Sequence, residues 1–206
     1  MIPKESSKEK NPFISMKNLK YFPLIQKPDC CSATCLQMIL FRKGHTEYSQ
    51  DELAKDLGIF IDRKNKGAFS VKLKVRLKES DVNRTIESAD KINALFRKHK
   101  IKLEAKSYKI SEIKNPTEFV NDALKKDYDV WAEFANKSLF GTSGGHDCLI
   151  SELKKKRGKY FVTLVDPYWN HKQIYEVPFD KLIESMQKRE NLKPVRERGF
   201  IIIRGK

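Results

Sequence analysis

The sequence predicts an α+β fold in which N-terminal helices pack on a largely antiparallel C-terminal sheet. Two patterns predict it. Apolar residues recur at helical spacing from Cys31 to about Arg42, and five short β-rich runs follow residue 128: Asp129 to Ala135, His146 to Leu153, Tyr160 to Val165, Gln173 to Val177 and Gly199 to Arg204. Helices first and strands afterwards segregate the two element types, which is the mark of α+β rather than alternating α/β architecture. At 206 residues the chain is long enough to close its own core without disulfides or a structural metal.

Residues 1–12 carry Lys4, Lys8, Lys10, two serines and two prolines with no apolar period, and are expected to form a flexible basic arm. Residues 13–206 are expected to form a single domain. Leu19 to Ile25 is apolar but contains Pro23, which lacks a backbone donor, so it is read as an extended segment leading into a loop at Gln26. Asp29 is the expected N-cap of the helix that follows, with Pro28 before it and Gly44 after it as entry and exit signals. Ser49 and Glu52 form a capping-box pattern for a second helix that stops at Gly58. Residues 59–82 are basic and irregular and are read as an insertion or lid. Within them, Val71, Leu73, Val75 and Leu77 alternate with cations as a half-exposed strand would. Helices are expected from Ile86 to Lys98, from Thr117 to Lys126 behind Asn115-Pro116, and from Phe179 to Gln187, with a strand from Ile101 to Lys109.

Composition excludes several classes. Forty-two Lys and Arg against 27 Asp and Glu give a net charge of +15, but the cations are spread along the chain and Lys154-Lys155-Lys156-Arg157 is the one four-residue basic run. No zinc-finger, RNP or basic-zipper pattern accompanies them, so a solvated basic surface is expected and not a nucleic-acid partner. No run has the length and apolarity of a membrane span, and Met1 to Asn11 lacks the apolar core of a signal peptide, which leads to the expectation of a cytoplasmic protein. Four cysteines, two of them adjacent, make a poor disulfide framework.

One cysteine has a reason to be reactive. In the first turn of a helix, Cys31 meets unpaired backbone N–H groups and the positive end of the helix dipole, both of which favour thiolate. Cys30 is a rival, and Cys35 belongs to the core stripe. A working thiolate also needs a base. His45, His99 and His171 fall in a turn, a helix end and a loop, whereas His146 opens an apolar strand after Gly141-Thr142-Ser143-Gly144-Gly145. Centring the following hairpin at Lys156 pairs His146 directly with Asp166 and sets Cys148, Ile150, Val162 and Leu164 on the same face. Asp166 would then fix the imidazole tautomer, and the Gln26 amide would join the Cys31 backbone N–H in binding an oxyanion. Cys31, Cys35, His146 and Cys148 also offer a zinc set, although their spacing matches no short metal motif, and no metal or other cofactor is expected.

These residues resemble a family. Gln26, the run Cys31-Ser-Ala-Thr-Cys-Leu-Gln-Met-Ile-Leu, Gly145-His146 and Val165-Asp166-Pro167 are similar to the double-glycine, bacteriocin-processing peptidases and their stand-alone relatives in the papain-like cysteine peptidase superfamily. The similarity covers residues 20–58 and 129–177. It implies a papain-like fold, a peptide or amide substrate, and metal-independent cleavage through a thioester acyl-enzyme. It also implies Cys31 rather than Cys30 as nucleophile, with His146, Asp166 and Gln26 in the roles given above. An acyltransferase using the same thiol, or an inactive papain-like module presenting its basic surface, are the alternatives it leaves. Two positions depart from the family: Ser32 stands where Gly is usual and Thr34 where a small residue is usual, and both are expected to add bulk beside the oxyanion pocket.

Overall fold

A computed structural model describes residues 19–78, 81, 83–187 and 197–206; the expected arm at residues 1–12 lies outside them. Among the described residues eight strands and six α-helices follow in order: α1 (Cys31–Arg42), α2 (Gln50–Leu57), β1 (Phe60–Ile61), β2 (Lys74–Val75), α3 (Ala89–Lys98), β3 (Leu103–Lys109), α4 (Pro116–Lys125), β4 (Asp129–Ala135), α5 (Asn136–Phe140), β5 (Gly145–Lys156), β6 (Lys159–Val165), β7 (Ile174–Pro178), α6 (Phe179–Gln187) and β8 (Gly199–Gly205). Six strands form one sheet in the order β3-β8-β4-β5-β6-β7, and every neighbouring pair is antiparallel. The α+β architecture is the one the sequence predicts.

The helices cover both faces of that sheet rather than one. Side chains alternate across a strand, so Trp131, Leu149, Val165, Ile201 and Ile203 enter a core shared with the apolar faces of α1, α2 and α3. Val130, Ala132, Cys148, Leu164 and Ile202 point the other way and pack with Val120 of α4 and with Phe179, Leu182 and Met186 of α6. The sequence reading anticipates the first layer only, because periodicity reveals an amphipathic face but not which sheet surface it covers.

Local signals set several boundaries. Ser49 caps α2 through a full capping box with Glu52, and Gly58 ends it in the left-handed region at φ 69°. The N-cap of α1 is Cys30, not Asp29, and it makes no side-chain capping bond. Asp29 instead adopts φ 62° in the preceding turn, and its Oδ2 accepts from Asp62 N at 3.1 Å and Asn65 Nδ2 at 2.9 Å, tying the loop to the 59–82 segment. The strand expected over residues 71–77 shrinks to Lys74–Val75, paired in parallel with Phe60–Ile61. Two residues suffice to anchor it because Leu73 is buried, while Leu77 is 77% exposed.

The hairpin register differs from the expected one in an informative way. Lys156 pairs with Lys159 across a two-residue turn, Arg157-Gly158, and the ladder runs to Glu152↔Thr163 before a bulge at Ser151 resets it to Ile150↔Leu164 and Leu149↔Val165. Extending that register sets Cys148, not His146, opposite Asp166. His146 and Cys148 lie two residues apart on the same face, so His146 reaches Asp166 diagonally.

Replacing Ser49 with Ala removes the α2 cap and is expected to lower stability by about 1 kcal/mol, read as a lower midpoint with an unchanged slope in a denaturant titration.

Candidate active site

β5 begins at the rim of a cleft of about 720 Å³, and the residues singled out in the sequence converge there. Gln26, Cys31 and His146 line it; Asp62 and Asn65 of the 59–82 segment form part of the wall, and Tyr168 and Trp169 another part. Gln26 is delivered by its backbone: its N–H donates to Pro167 O at 2.8 Å, which staples the Gln26 loop to the chain just beyond Asp166. Cys31 is the first residue of α1, whose first turn has no side-chain cap and no acidic residue. The N–H groups of that turn therefore keep their capacity for an anion.

Asp166 is fully buried and fully used. Oδ1 accepts from His146 Nε2 at 2.6 Å and from the Tyr168 backbone N–H at 2.8 Å; Oδ2 accepts from His171 Nδ1 at 2.8 Å and Tyr175 OH at 2.7 Å. Burial alone would raise its pKa, but the hydrogen bond and charge of His146, with the Tyr175 hydroxyl and the Tyr168 N–H, hold the carboxyl down at about 2. Since Nε2 of His146 is engaged by Asp166, Nδ1 is the nitrogen left to act on a neighbour.

The thiol has a partner that the sequence reading overlooks. Cys31 Sγ donates to Asp147 Oδ2 at 3.1 Å, and the same oxygen accepts from Ser32 Oγ at 3.0 Å and Thr85 Oγ1 at 3.0 Å, while Oδ1 accepts from Trp131 Nε1 at 3.0 Å. Asp147 is thus a buried carboxylate with four donors drawn from α1, β4 and the approach to α3. Burial, and after it the Asp147 carboxylate, pushes the Cys31 thiol well above its ordinary range. The thiolate expected from the helix terminus is overridden in this arrangement, because a desolvated thiol facing a carboxylate holds its proton.

All four thiols are raised by burial, Cys30 to about 12. What distinguishes Cys31 is access, since Cys30, Cys35 and Cys148 are completely buried and Cys31 opens onto the cleft.

Ser32 and Thr34 do not crowd the cleft. Ser32 turns its hydroxyl into the Asp147 network, and Thr34 Oγ1 donates back to Cys30 O at 2.8 Å within the helix. The bulk expected from the sequence therefore faces the interior. The zinc set of Cys31, Cys35, His146 and Cys148 is not assembled; among the described residues the cluster with metal-ligand spacing is His146, Asp166 and His171. His171, read in the sequence as a loop residue, lies five positions beyond Asp166 in a loop closed by Asp166 N donating to Gln173 O at 2.8 Å, a short return that brings it back over the carboxylate. No helix among the described residues is long and apolar enough to cross a membrane.

Residues 16–193 match the model of the Peptidase_C39 like family. No curated protein matches the chain. The family and the mixed helix-and-sheet architecture agree on an α+β papain-like peptidase fold.

Two outcomes are expected from the charges. A carboxyl whose folded pKa is depressed stabilises the fold above its unfolded value of about 4 and loses that contribution as pH falls from there toward about 2. Asp166→Asn should remove roughly 2 kcal/mol at neutral pH and flatten the acid limb of a stability-versus-pH curve. Asp147→Asn should lower the Cys31 pKa and so speed its alkylation by iodoacetamide at pH 7, an effect read directly from the rate's pH midpoint.

Proposed function

Because the chain belongs to the Peptidase_C39-like family, which sets it among the cysteine peptidases, we propose that it cleaves peptide or amide bonds with Cys31 as nucleophile, His146 as base and Asp166 as its orienting partner. The observation that carries this reading is the convergence of Gln26, Cys31 and His146 on one cleft, with Asp166 buried behind the imidazole. The accepting nitrogen is Nδ1, since Asp166 holds the proton on Nε2.

In the resting arrangement the thiol proton is directed to Asp147. A substrate carbonyl entering the cleft gives the thiol a reason to turn: attack needs the sulfur on the cleft side, where His146 Nδ1 takes the proton as the C–S bond forms. Negative charge then develops on the carbonyl oxygen. The uncapped N–H groups of the α1 first turn and the Gln26 amide are the donors suited to it. Collapse of the tetrahedral intermediate expels the amine, which receives the proton from His146, and leaves a thioester on Cys31. Water deprotonated by the same imidazole then releases the acid and restores the thiol.

The cleft walls suit a polar chain. The side-chain oxygens of Gln26 and Asn136 are buried without a protein partner, and both residues line the cleft, so they are free to accept from N–H groups of a bound peptide. Trp169, 66% exposed at the rim, offers an apolar surface beside them.

A thiol-directed electrophile should label Cys31, as located by peptide mapping; Cys31→Ala should abolish the label, and Cys30→Ala and Cys35→Ala should keep it. Labelling retained in Cys31→Ala would sink the assignment. Gln26→Ala should lower kcat by roughly 100-fold with little change in KM, the behaviour of a donor used mainly in the transition state.

A further inference from the structure

Asp166 is shared by two imidazoles, and one of them has no part in the cleavage proposed above. His146 presents Nε2 and His171 presents Nδ1 to opposite oxygens of a single carboxylate, at 2.6 and 2.8 Å, and one ligand atom from each of the three residues falls within 4.8 Å of the others. Two imidazole nitrogens and one carboxylate oxygen are the donor set of an open zinc site, three protein ligands with a fourth position left for water. Both histidines line the cleft, so the cluster adjoins a space open to an entering ion.

We propose that His146, Asp166 and His171 bind Zn²⁺ and that the bound ion switches off the peptidase site. Tetrahedral ligands at bonds of roughly 2.0–2.1 Å lie roughly 3.3–3.5 Å apart, so the two hydrogen-bonded pairs, now at 2.6 and 2.8 Å, need to open by roughly 0.5–0.9 Å once the N–H protons between them leave. The loop carrying His171 is already pinned by Asp166 N to Gln173 O and by His171 N to Tyr168 O at 3.1 Å, and Tyr175 OH and the Tyr168 N–H continue to hold the carboxylate from outside the metal.

The inhibitory consequence follows from proton placement. Without metal, Nε2–H of His146 donates to Asp166 and Nδ1 is bare. With zinc on Nε2, the neutral ring keeps its one proton on Nδ1, which can then neither accept from a thiol or water nor readily yield a proton to a leaving amine. The proton released on binding, one from each imidazole contact to Asp166, passes to His171 Nε2 for that ring and to His146 Nδ1 for the other, so both rings remain neutral and no other reactant is consumed. This consequence rests on His146 being the base; the metal site does not.

The test uses the Cys31→Ala chain, which removes the thiol as a competing ligand. Titration with ZnCl₂ should show one ion bound per chain, and ¹⁵N spectra of the histidine rings should move the His146 proton from Nε2 to Nδ1. Adding His171→Gln should weaken binding at least tenfold, whereas His45→Gln, which removes a histidine outside the cluster, should leave the affinity within about threefold. Absence of stoichiometric zinc, a His146 proton that stays on Nε2, or an equal loss in His45→Gln would overturn the site. Failure of Cys31 labelling in the metal-free wild type would instead strike the peptidase reading and leave these binding results standing.

Discussion

Asp166 meets His146 because β5 carries one residue more than β6 between Ile150 and Glu152. The two-residue turn at Arg157-Gly158 sets residue numbers across the hairpin to an odd sum, and in an unbroken ladder that register would oppose Asp166 to Leu149, on the face covered by α1. The unpaired Ser151 shifts the ladder by one and returns Asp166 to the face of Cys148 and His146. A strand side chain changes sides with every one-residue slip, so this single bulge governs whether a carboxylate stands behind the imidazole at all. Bulges near functional sites commonly re-aim side chains in this way.

The adjacent residues His146 and Asp147 then serve opposite surfaces of the same strand. His146 is tied to Asp166, while Asp147 collects donors from Cys31, Ser32, Thr85 and Trp131. A buried carboxylate is costly unless its lone pairs are filled, and here the first turn of α1 fills two of them. That requirement fixes the helix start against the sheet at the point where β5 opens into the cleft. It also gives Ser32 a purpose: a glycine there would leave Asp147 with one donor fewer.

Much of this was legible in the residues themselves. The α2 capping box, the start of α6 and the C-terminal strands follow from local patterns, and so does the coupling of His146 with Asp166, because an even-numbered offset on facing strands survives a shift of two in register. Other features were not legible for identifiable reasons. Asp147 draws its partners from three separated segments, so no spacing announces it. Asp29 looks like a cap but is taken by Asp62 and Asn65, a tertiary competition that outweighs local preference. His171 was hidden in a loop whose tight closure is evident only once Asp166 and Gln173 are seen to be bonded.

The proposed cleavage requires Cys31 to carry the acyl group in a thioester. Rapid acid quenching of the protein with a peptide mixture, followed by mass spectrometry of its fragments, tests that most directly. An acyl adduct on the fragment containing Cys31, localised to its sulfur, is the expected result. Peptide cleavage that proceeds with no adduct on Cys31, or with the adduct on another residue, would contradict it.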